Sequence, residues 1–346
     1  MTTYIFTSII IQYPSISKLK TLLYAFLLFI TACAAPSQNE ENPSSLSNKT
    51  IFLDPGHGGT ADTDQYRVGP TGEREEWINL RVALMLRDML EAKGASVLMS
   101  RSSDSAVALQ ERAEMAKAAE ADVFLSIHHN ATADTSVNFP IIYFHGNVSE
   151  NQASVVLARK VALQLRESLF AGQSQVSIAS DHTIFPTAGT SVLRHSYGIP
   201  GIIGEATFFT HPPEELRLKD EAYNRKEAAA YVAALEAFFA EEIPPIEERY
   251  SRLQLPAFRV FQEAERMRPE ARLWLQDFEA GKKLMESGNI DSAYQRLTRS
   301  ARSFPDSYLA REVHLLRAEA LQQMDSTAAA EEALLRAVEY YVVPEL

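Results

Sequence analysis

The chain is predicted to be an α/β protein. We expect a mostly parallel sheet with helices on both faces, followed by a small all-α domain of helical hairpins. Short apolar runs alternate with amphipathic helical stretches from Thr50 to about Ala240, a pattern typical of a sheet whose faces are covered. Beyond residue 241 no strand pattern is present. At 346 residues the chain is longer than a typical domain of about 100–200 residues, so we expect more than one structural unit.

The N-terminus has the features of an export signal. Two lysines precede an apolar run at residues 21–30, which is too short for a membrane span of about 20 residues but suits a secretory signal. The only cysteine of the chain, Cys33, follows this run. Residues 30–33 resemble the bacterial lipobox, in which the cysteine is lipidated. We therefore predict a lipoprotein signal peptide over 1–33, the alternative being an ordinary signal peptide with an incidental cysteine.

The segment after the cysteine indicates a tether at a membrane surface. Residues 34–48 are rich in Ser, Asn and Pro and have too little apolar surface to fold, so we predict a flexible tether. Ala34 stands where an Asp would favour the inner membrane of enteric bacteria. We expect an exported protein held by a lipid anchor on Cys33, with the outer membrane, facing the periplasm, favoured.

The net charge of −12, without a basic run, argues against nucleic acid as a partner.

The first folded domain is predicted over residues 49–241. Its candidate strands are short apolar runs bounded by turn residues, at 50–54, 95–100, 122–127, 140–144 and 200–204, with a weaker run at 191–194. Its candidate helices carry apolar residues at helical spacing, at 76–93, 107–120, 151–170 and 222–240. The Pro-Pro and acidic composition after residue 241 then indicates a domain boundary.

The remainder of the chain is predicted to be helical. Residues 242–270 read as a linker and connecting helix, and residues 271–346 as helical hairpins. The stretch from Gly281 to Pro305 resembles a tetratricopeptide repeat, with small residues where two helices approach, and a weaker copy follows. An ordinary helical bundle is the alternative. Because a free solenoid usually needs three or more repeats, we expect the hairpins to pack on the connecting helix or on a protein partner.

The most informative local motif is the segment of residues 51–59. A short apolar strand ends abruptly at Pro55, and His57 then sits among glycines that allow a sharp turn and leave space beside the imidazole. A histidine at the carboxyl end of a central strand is well placed to be a metal ligand. A solvated histidine in a glycine-rich turn is the alternative interpretation.

Three further segments carry chemistry at comparable positions. A loop that enters a helix contains Glu73, Glu75 and Glu76, a buried strand ends in His128, and another apolar strand ends in Glu205. Parallel strands present their carboxyl ends at one edge of an open sheet, where ligands bind. We therefore expect these side chains, together with His57, to meet in one cleft.

This set of side chains matches the requirements of hydrolytic zinc chemistry. Two imidazoles and one carboxylate form a catalytic zinc site that leaves a position open for water, and zinc lowers the pKa of that water from 15.7 towards about 7. A second carboxylate, free of the metal, must then move the proton, and Glu205 suits this role because it arrives from another strand. Spacing alone leaves Glu73, Glu75 and Glu76 as alternatives for the carboxylate ligand.

The ordered motifs resemble those of the zinc-dependent N-acetylmuramoyl-L-alanine amidases of bacteria, often called type 3 amidases. The resemblance covers roughly residues 50–240 and includes Asp-Pro-Gly-His-Gly-Gly, a Glu before a helical Leu, Ser-Ile-His-x-Asn-Ala, and a strand ending in Glu. It implies that His57, Glu75 and His128 bind Zn²⁺ and that Glu205 is catalytic. It also implies hydrolysis of the amide between N-acetylmuramic acid and L-alanine in peptidoglycan.

Two positions of the sequence depart from the family pattern. His129 replaces the small residue usual after the second histidine ligand. It could support the ligands through hydrogen bonds, contact the substrate or simply be exposed, and we favour exposure on the substrate side. The strand end at Glu205 continues with Ala-Thr rather than the commoner Gly-Phe, which affects specificity more than chemistry. We expect surface or packing roles for the other histidines and a surface position for Arg194.

Two alternative functions remain. The first is a zinc peptidase that cuts within the stem peptide, and the second is a catalytically inactive wall-binding lipoprotein scaffold whose tail binds partners.

Overall fold

A six-stranded sheet forms the centre of the computed structural model, which describes residues 44–63 and 67–344. Its strands are β1 (Thr50–Pro55), β2 (Ser96–Met99), β3 (Val123–Asn130), β4 (Ile141–Phe144), β5 (Ser177–Ser180) and β6 (Gly201–Phe208). They lie in the order β2-β1-β3-β6-β4-β5. Strands β2, β1, β3 and β6 are parallel, whereas β4 is antiparallel to β6 and parallel to β5. The predicted mostly parallel sheet is confirmed.

The central strands are buried on both sides, as their continuous apolar runs predict. In β1, Ile51 and Leu53 belong to one core cluster and Phe52 to the other, because successive side chains of a strand point to opposite faces. Phe52 stacks on Phe124 of β3 with ring centroids 5.8 Å apart. Since β1, β3 and β6 are parallel, their carboxyl ends lie at the same edge of the sheet.

Helices over residues 75–239 accompany the strands, as the alternating pattern predicts. They are α1 (Glu75–Ala92), α2 (Leu109–Ala118), α3 (Gln152–Phe170), α4 (Ser191–His195), α5 (Pro212–Leu218) and α6 (Glu221–Phe239). Two of the starts are capped by side chains, since Asn151 accepts from the Ser154 amide at 3.3 Å and Asp220 from the Ala222 amide at 2.9 Å. The apolar stripes of α1, α3 and α6 pack together against one face of the sheet.

One strand prediction is wrong, and two elements have no counterpart in the predictions. The run at 191–194 is the short helix α4 and not a strand, because its apolar pair, Val192 and Leu193, packs with the second core cluster beside α2. Periodicity cannot distinguish strand from helix in so short a run. Arg194 lies partly exposed at the surface and donates to the Ala188 carbonyl at 3.0 Å. The unpredicted elements are β5 and α5.

The C-terminal region is helical, as predicted. Its elements are α7 (Glu263–Arg266), a 3₁₀ turn (Pro269–Leu273), α8 (Trp274–Glu286), α9 (Ile290–Ser303), α10 (Ala310–Gln323) and α11 (Thr327–Glu339). The helix expected within 242–270 is reduced to the four-residue α7. Gly281 of α8 lies so close to α9 that a Cβ there would be 2.7 Å from Leu297 Cγ. This close approach accounts for the small residue at that position.

The C-terminal helices cover the second face of the sheet. Trp274, Phe304 and Tyr340 share one core cluster with Phe52 of β1 and Tyr143 of β4. The chain end also extends the sheet edge, because the Val342 amide donates to the Ile178 carbonyl at 3.0 Å and the Ser180 amide to the Tyr340 carbonyl at 2.8 Å. The hairpins therefore pack on the sheet itself and not on a connecting helix.

The predicted lipoprotein signal, Cys33 and most of the tether lie outside the described residues. The last part of the predicted tether, residues 44–48, forms a turn in which Leu46 is fully buried in the first core cluster. It is therefore part of the folded domain. Within the part of the chain that the structure describes, no helix combines the length and the apolar character needed to cross a membrane.

Candidate metal centre

Two imidazoles and one carboxylate meet at the edge formed by the ends of β1 and β3. His57 follows β1, Glu75 is the first residue of α1, and His128 lies near the end of β3. Glu75 Oε1 is 3.1 Å from His57 Nε2 and 2.9 Å from His128 Nδ1. The possible ligand atoms of the three side chains all lie within 4.8 Å of one another. Two nitrogens and one oxygen, converging in this way, fit the donor set of a three-ligand zinc site.

Gly56 allows the two histidines to approach each other. A Cβ on Gly56 would lie 2.2 Å from His128 Cε1, so only glycine leaves room for the imidazole. His57 itself has a φ of 58°, in the left-handed region that non-glycine residues rarely occupy. The two rings are 4.8 Å apart and nearly perpendicular, at 86°. The glycine-rich turn therefore serves to place ligands and is not only a chain reversal.

A buried ion pair holds this strained turn in place. Asp54, at 1% exposure, accepts hydrogen bonds from Ser100 Oγ at 2.6 Å, Ser126 Oγ at 2.7 Å and Arg112 Nη1 at 2.8 Å. Arg112 also donates to the His57 carbonyl at 2.7 Å. Burial by itself would raise the pKa of Asp54, but Arg112 and the two hydroxyls outweigh it and hold the pKa below its ordinary value. The charged pair thus fixes the backbone of a ligand-bearing residue.

Of the three glutamates near the start of α1, Glu75 is the one that reaches the histidines. Glu73 pairs with Arg81 Nη2 at 2.7 Å, and Glu76 pairs with Arg74 Nε at 2.5 Å. Burial would raise the pKa of Glu75, but the two imidazoles outweigh it and hold the pKa well below its ordinary value. Burial also lowers the pKa of His128, which favours the neutral imidazole that a metal requires.

Glu205 lies in the same cleft, on the neighbouring strand. Its backbone is in register with His128 across β3 and β6. Glu205 Oε2 is buried and has no hydrogen-bond partner among residues 44–63 and 67–344, which is unusual for a carboxylate oxygen. Burial, followed by the charge of Glu75, raises the pKa of Glu205 well above its ordinary value. A raised pKa makes the ionised carboxylate a stronger proton acceptor than an ordinary glutamate, which suits a catalytic base.

A cleft of about 530 Å³ opens over these residues. This volume is in the usual range for pockets that bury a small ligand. Its lining joins the metal centre to apolar side chains of the second sheet face and to residues that follow the predicted domain boundary: His57, His128, Tyr143, Ile184, Phe185, Ile203, Glu205, Phe261, Gln262, Ala264, Arg266 and Met267. The motifs that follow one another along the sequence thus converge on a single concave site.

Comparison with known families agrees with this geometry. The model of the N-acetylmuramoyl-L-alanine amidase family matches residues 51–237, which include the metal centre and Glu205. The chain belongs to this family. Residues 51–237 form an N-acetylmuramoyl-L-alanine amidase domain, and the helical region from α7 onwards lies outside it.

Several bacterial amidases are similar to the chain. It is 33% identical over 190 residues to N-acetylmuramoyl-L-alanine amidase LytC of Bacillus subtilis (strain 168), a match that covers 55% of this chain but only 35% of LytC. It is 27% identical over 242 residues to the germination-specific N-acetylmuramoyl-L-alanine amidase of the same strain, covering 65% of this chain and 94% of that protein. A crystal structure of N-acetylmuramoyl-L-alanine amidase from Clostridium difficile 630 covers 57% of this chain and 99% of its own, with 27% identity and a TM-score of 0.49.

The expectation that His129 faces the substrate is wrong for this amidase domain. Its side chain is buried on the opposite side of β3 from His128, because neighbouring residues of a strand alternate in direction. His129 Nδ1 lies 2.9 Å from Asn79 Oδ1, and Nε2 lies 3.0 Å from Glu227 Oε2. Asn79 in turn donates to the Gly56 carbonyl at 3.2 Å. His129 therefore supports the ligand-bearing turn from behind, which is one of the alternatives considered for it from the sequence.

In a second group of potential ligands, two of the three side chains are already hydrogen-bonded, and the third, His182, stacks on Tyr340. His145, Asp181 and His182 cluster beside the loop that carries Phe185. Asp181 accepts from His145 Nδ1 at 2.9 Å and from the Thr190 amide at 2.7 Å. His145 Nε2 is 3.3 Å from the guanidinium of Arg249, a cation that opposes metal binding there. The two histidines fit the packing role expected for them.

The amidase cleft also contains residues that sequence reasoning missed. Phe261, Gln262 and Met267 line it although they follow the family domain in sequence. Tyr143 lines its floor and donates to the buried Asp306, which lies between α9 and α10. No local motif marks these positions, because they become part of the site only through packing of distant segments.

Proposed function

We propose that this protein is a zinc-dependent enzyme that hydrolyses the amide bond between N-acetylmuramic acid and L-alanine in peptidoglycan. The proposal rests chiefly on one observation: His57, Glu75 and His128 converge in a cleft that also holds Glu205, whose buried oxygen lacks a partner in the described chain. The first three side chains would hold the zinc, and Glu205 would be the catalytic base.

Each residue has a distinct task in this chemistry. Zinc, when bound, supplies Lewis-acid polarisation of the scissile carbonyl and acidifies a water molecule. Glu205 Oε2 is free to accept a proton from the attacking water and to deliver it to the leaving amine of L-alanine. Burial and the charge of Glu75 raise the pKa of Glu205, which makes its carboxylate a stronger proton acceptor than an ordinary glutamate. Asp54 and Arg112 keep the His57 backbone in place throughout.

A single substitution tests the catalytic assignment. Glu205→Gln keeps the size of the side chain but removes the proton acceptor, so we expect the release of stem peptides to fall by at least about 100-fold while zinc content remains at the parent level. Zinc is measured by elemental analysis and the products by mass spectrometry. Products cut inside the stem would support the zinc-peptidase alternative, and full activity of the variant would remove Glu205 from the mechanism.

We further propose that the protein is exported and lipid-anchored at Cys33. The support is the lysine-flanked apolar run and the lipobox-like residues 30–33. The outer membrane, facing the periplasm, is the favoured location, and the tetratricopeptide-like region over 271–346 is proposed to bind a protein partner. Cys33→Ser should move the protein from the membrane fraction to the soluble fraction. If the distribution did not change, the lipid anchor would be excluded.

A further inference from the structure

A short segment of the C-terminal region enters the amidase cleft. We name residues Phe261–Met267 the strap. Its members Phe261, Gln262, Ala264, Arg266 and Met267 line the same cleft as the metal centre and Glu205. The strap begins 24 residues after the family domain ends at residue 237. The cleft wall is therefore shared between the amidase domain and a segment that the family pattern does not include.

The strap is held at both ends by contacts with ordered elements. The Phe261 amide donates to the Arg302 carbonyl at 2.8 Å, which joins the start of the strap to α9. Arg266 Nη2 donates to Asp306 at 3.0 Å, and Asp306 also accepts from the Tyr143 hydroxyl on the cleft floor. Asp306 is fully buried. Such a charged, hydrogen-bonded anchor fixes the strap against the sheet.

The strap residues that line the cleft are mostly apolar. The charge of Arg266 is paired with Asp306, so Phe261, Ala264 and Met267 supply the remaining wall together with the amide of Gln262. The loop side of the cleft adds Phe185, which is 48% exposed. Apolar pockets of this kind recognise small alkyl groups, and one methyl group there is worth roughly 10-fold to 200-fold in discrimination.

We propose that the strap is a substrate-contacting wall and that Phe261 and Met267 are specificity-determining residues for the methyl group of the first stem residue. This inference rests on the proposed amidase function, because the alanine methyl is the apolar group on the amine side of the scissile bond. The strap would thereby favour alanine over glycine at that position. The C-terminal region then contributes to substrate choice as well as to packing.

Two synthetic muramoyl peptides, identical except for L-alanine or glycine as the first residue, test the proposal on the full zinc-loaded chain. The parent protein is expected to prefer alanine by about 10-fold or more in kcat/KM. The double variant Phe261→Ala, Met267→Ala should reduce this preference to below about threefold, mainly through KM for the alanine substrate. Leu334→Ala, an exposed site on α11 outside the cleft lining, serves as the control and should match the parent.

A second variant is needed because the double variant could act through lost packing instead of through a lost substrate contact. Ala264 is exposed and lines the cleft, so the larger side chain of Ala264→Leu fills part of the cleft and leaves the core intact. It should impair cleavage of the alanine substrate by about 10-fold and of the glycine substrate less. Equal effects on both substrates, or none on either, would overturn the proposed methyl contact.

Binding of both peptides to Glu205→Gln protein, with and without the strap substitutions, separates the two proposals. Cleavage by the parent protein without any dependence on the strap would overturn the strap inference and leave the amidase function standing. Binding that depends on the strap, without cleavage by the parent, would overturn the amidase function and support the strap as a binding wall. If the parent neither bound nor cleaved the peptides, both proposals would be wrong.

Discussion

Replacing Asp54 by asparagine tests the idea that a buried ion pair supports the metal centre. Asp54 and Arg112 are almost fully buried, with their side chains 1% and 3% exposed. The asparagine side chain would keep the shape of the aspartate but lose its charge and one acceptor. If its amide oxygen kept the contact with Arg112, its amide nitrogen would face Ser126 Oγ, which would have to accept instead of donate. The substitution Asp54→Asn therefore leaves the Arg112 charge buried without its partner.

The loss of unfolding free energy depends on the hydrogen bonds that Arg112 would keep. Removing one partner of a buried ion pair typically costs about 3–5 kcal/mol, because the remaining charge is left uncompensated. Arg112 would still donate to the carbonyls of Pro55 at 2.9 Å, Val107 at 3.0 Å and His57 at 2.7 Å. These contacts place the expected loss of unfolding free energy near the lower end, at about 3 kcal/mol.

Urea unfolding in the presence of a chelator measures this loss without a contribution from metal binding. Asp122→Asn is the matched control, because Asp122 Oδ2 accepts from the Thr50 amide at 2.8 Å and an amide oxygen can replace it. We expect the control to lose less than about 1 kcal/mol. A loss below about 1 kcal/mol for Asp54→Asn as well would refute the supporting role of the pair.

The pH dependence gives a second check. Because the folded-state pKa of Asp54 lies below its ordinary value, the ionised carboxyl stabilises the fold at pH values above about 4. This contribution is lost as the pH falls through the lowered folded-state pKa. The difference in stability between the parent and Asp54→Asn should therefore be full at pH 7 and shrink below about pH 4. A difference that did not change with pH would contradict the assignment.

Two further perturbations address the site and the fold. Gly56→Ala should weaken zinc binding by about 10-fold to 100-fold, measured by chelator competition, because the new Cβ would lie 2.2 Å from His128 Cε1. Gly201→Ala is the control, because its Cβ would meet its nearest neighbours at an ordinary 3.4 Å. Equal zinc affinities of the two variants would contradict the steric argument. Truncation after Glu241 should give aggregated protein, because it uncovers Phe139 and Tyr143 on the second sheet face. A soluble monomeric fragment in sedimentation experiments would show that the C-terminal helices are dispensable for folding.

Much of the amidase domain could be predicted because its signals are local. The strands at 50–54, 122–127 and 200–204 are short, largely apolar runs, and each is followed within three residues by a residue of the candidate site. The wrong strand at 191–194 and the missed β5 show the limit of this reasoning. Runs of three or four residues carry too few apolar positions to define a period. For His129, the sequence leaves a supporting role and exposure to the substrate as alternatives, and the direction of its side chain on β3 decides between them.

Other features depended on residues that are distant in sequence. Spacing could not distinguish Glu73, Glu75 and Glu76. The structure separates them because Arg81 and Arg74 pair with the first and the last, which leaves Glu75 beside the two histidines. These pairings depend on how α1 packs at the sheet edge, and that packing is a tertiary property.

By itself, the amino-acid sequence determined the α/β class, the order of the central strands along the chain and the side chains available for chemistry at their ends. These properties depend on local periodicity and on the residue types that follow each strand. The tertiary structure alone decided that the C-terminal helices cover the second sheet face and that Phe261–Met267 line the cleft. The physical reason is that the second face needs an apolar cover, and the chain offers several helices that could provide it. Which of them does so depends on the fit of side chains such as Trp274 and Phe304 against the sheet, and no local pattern encodes that fit.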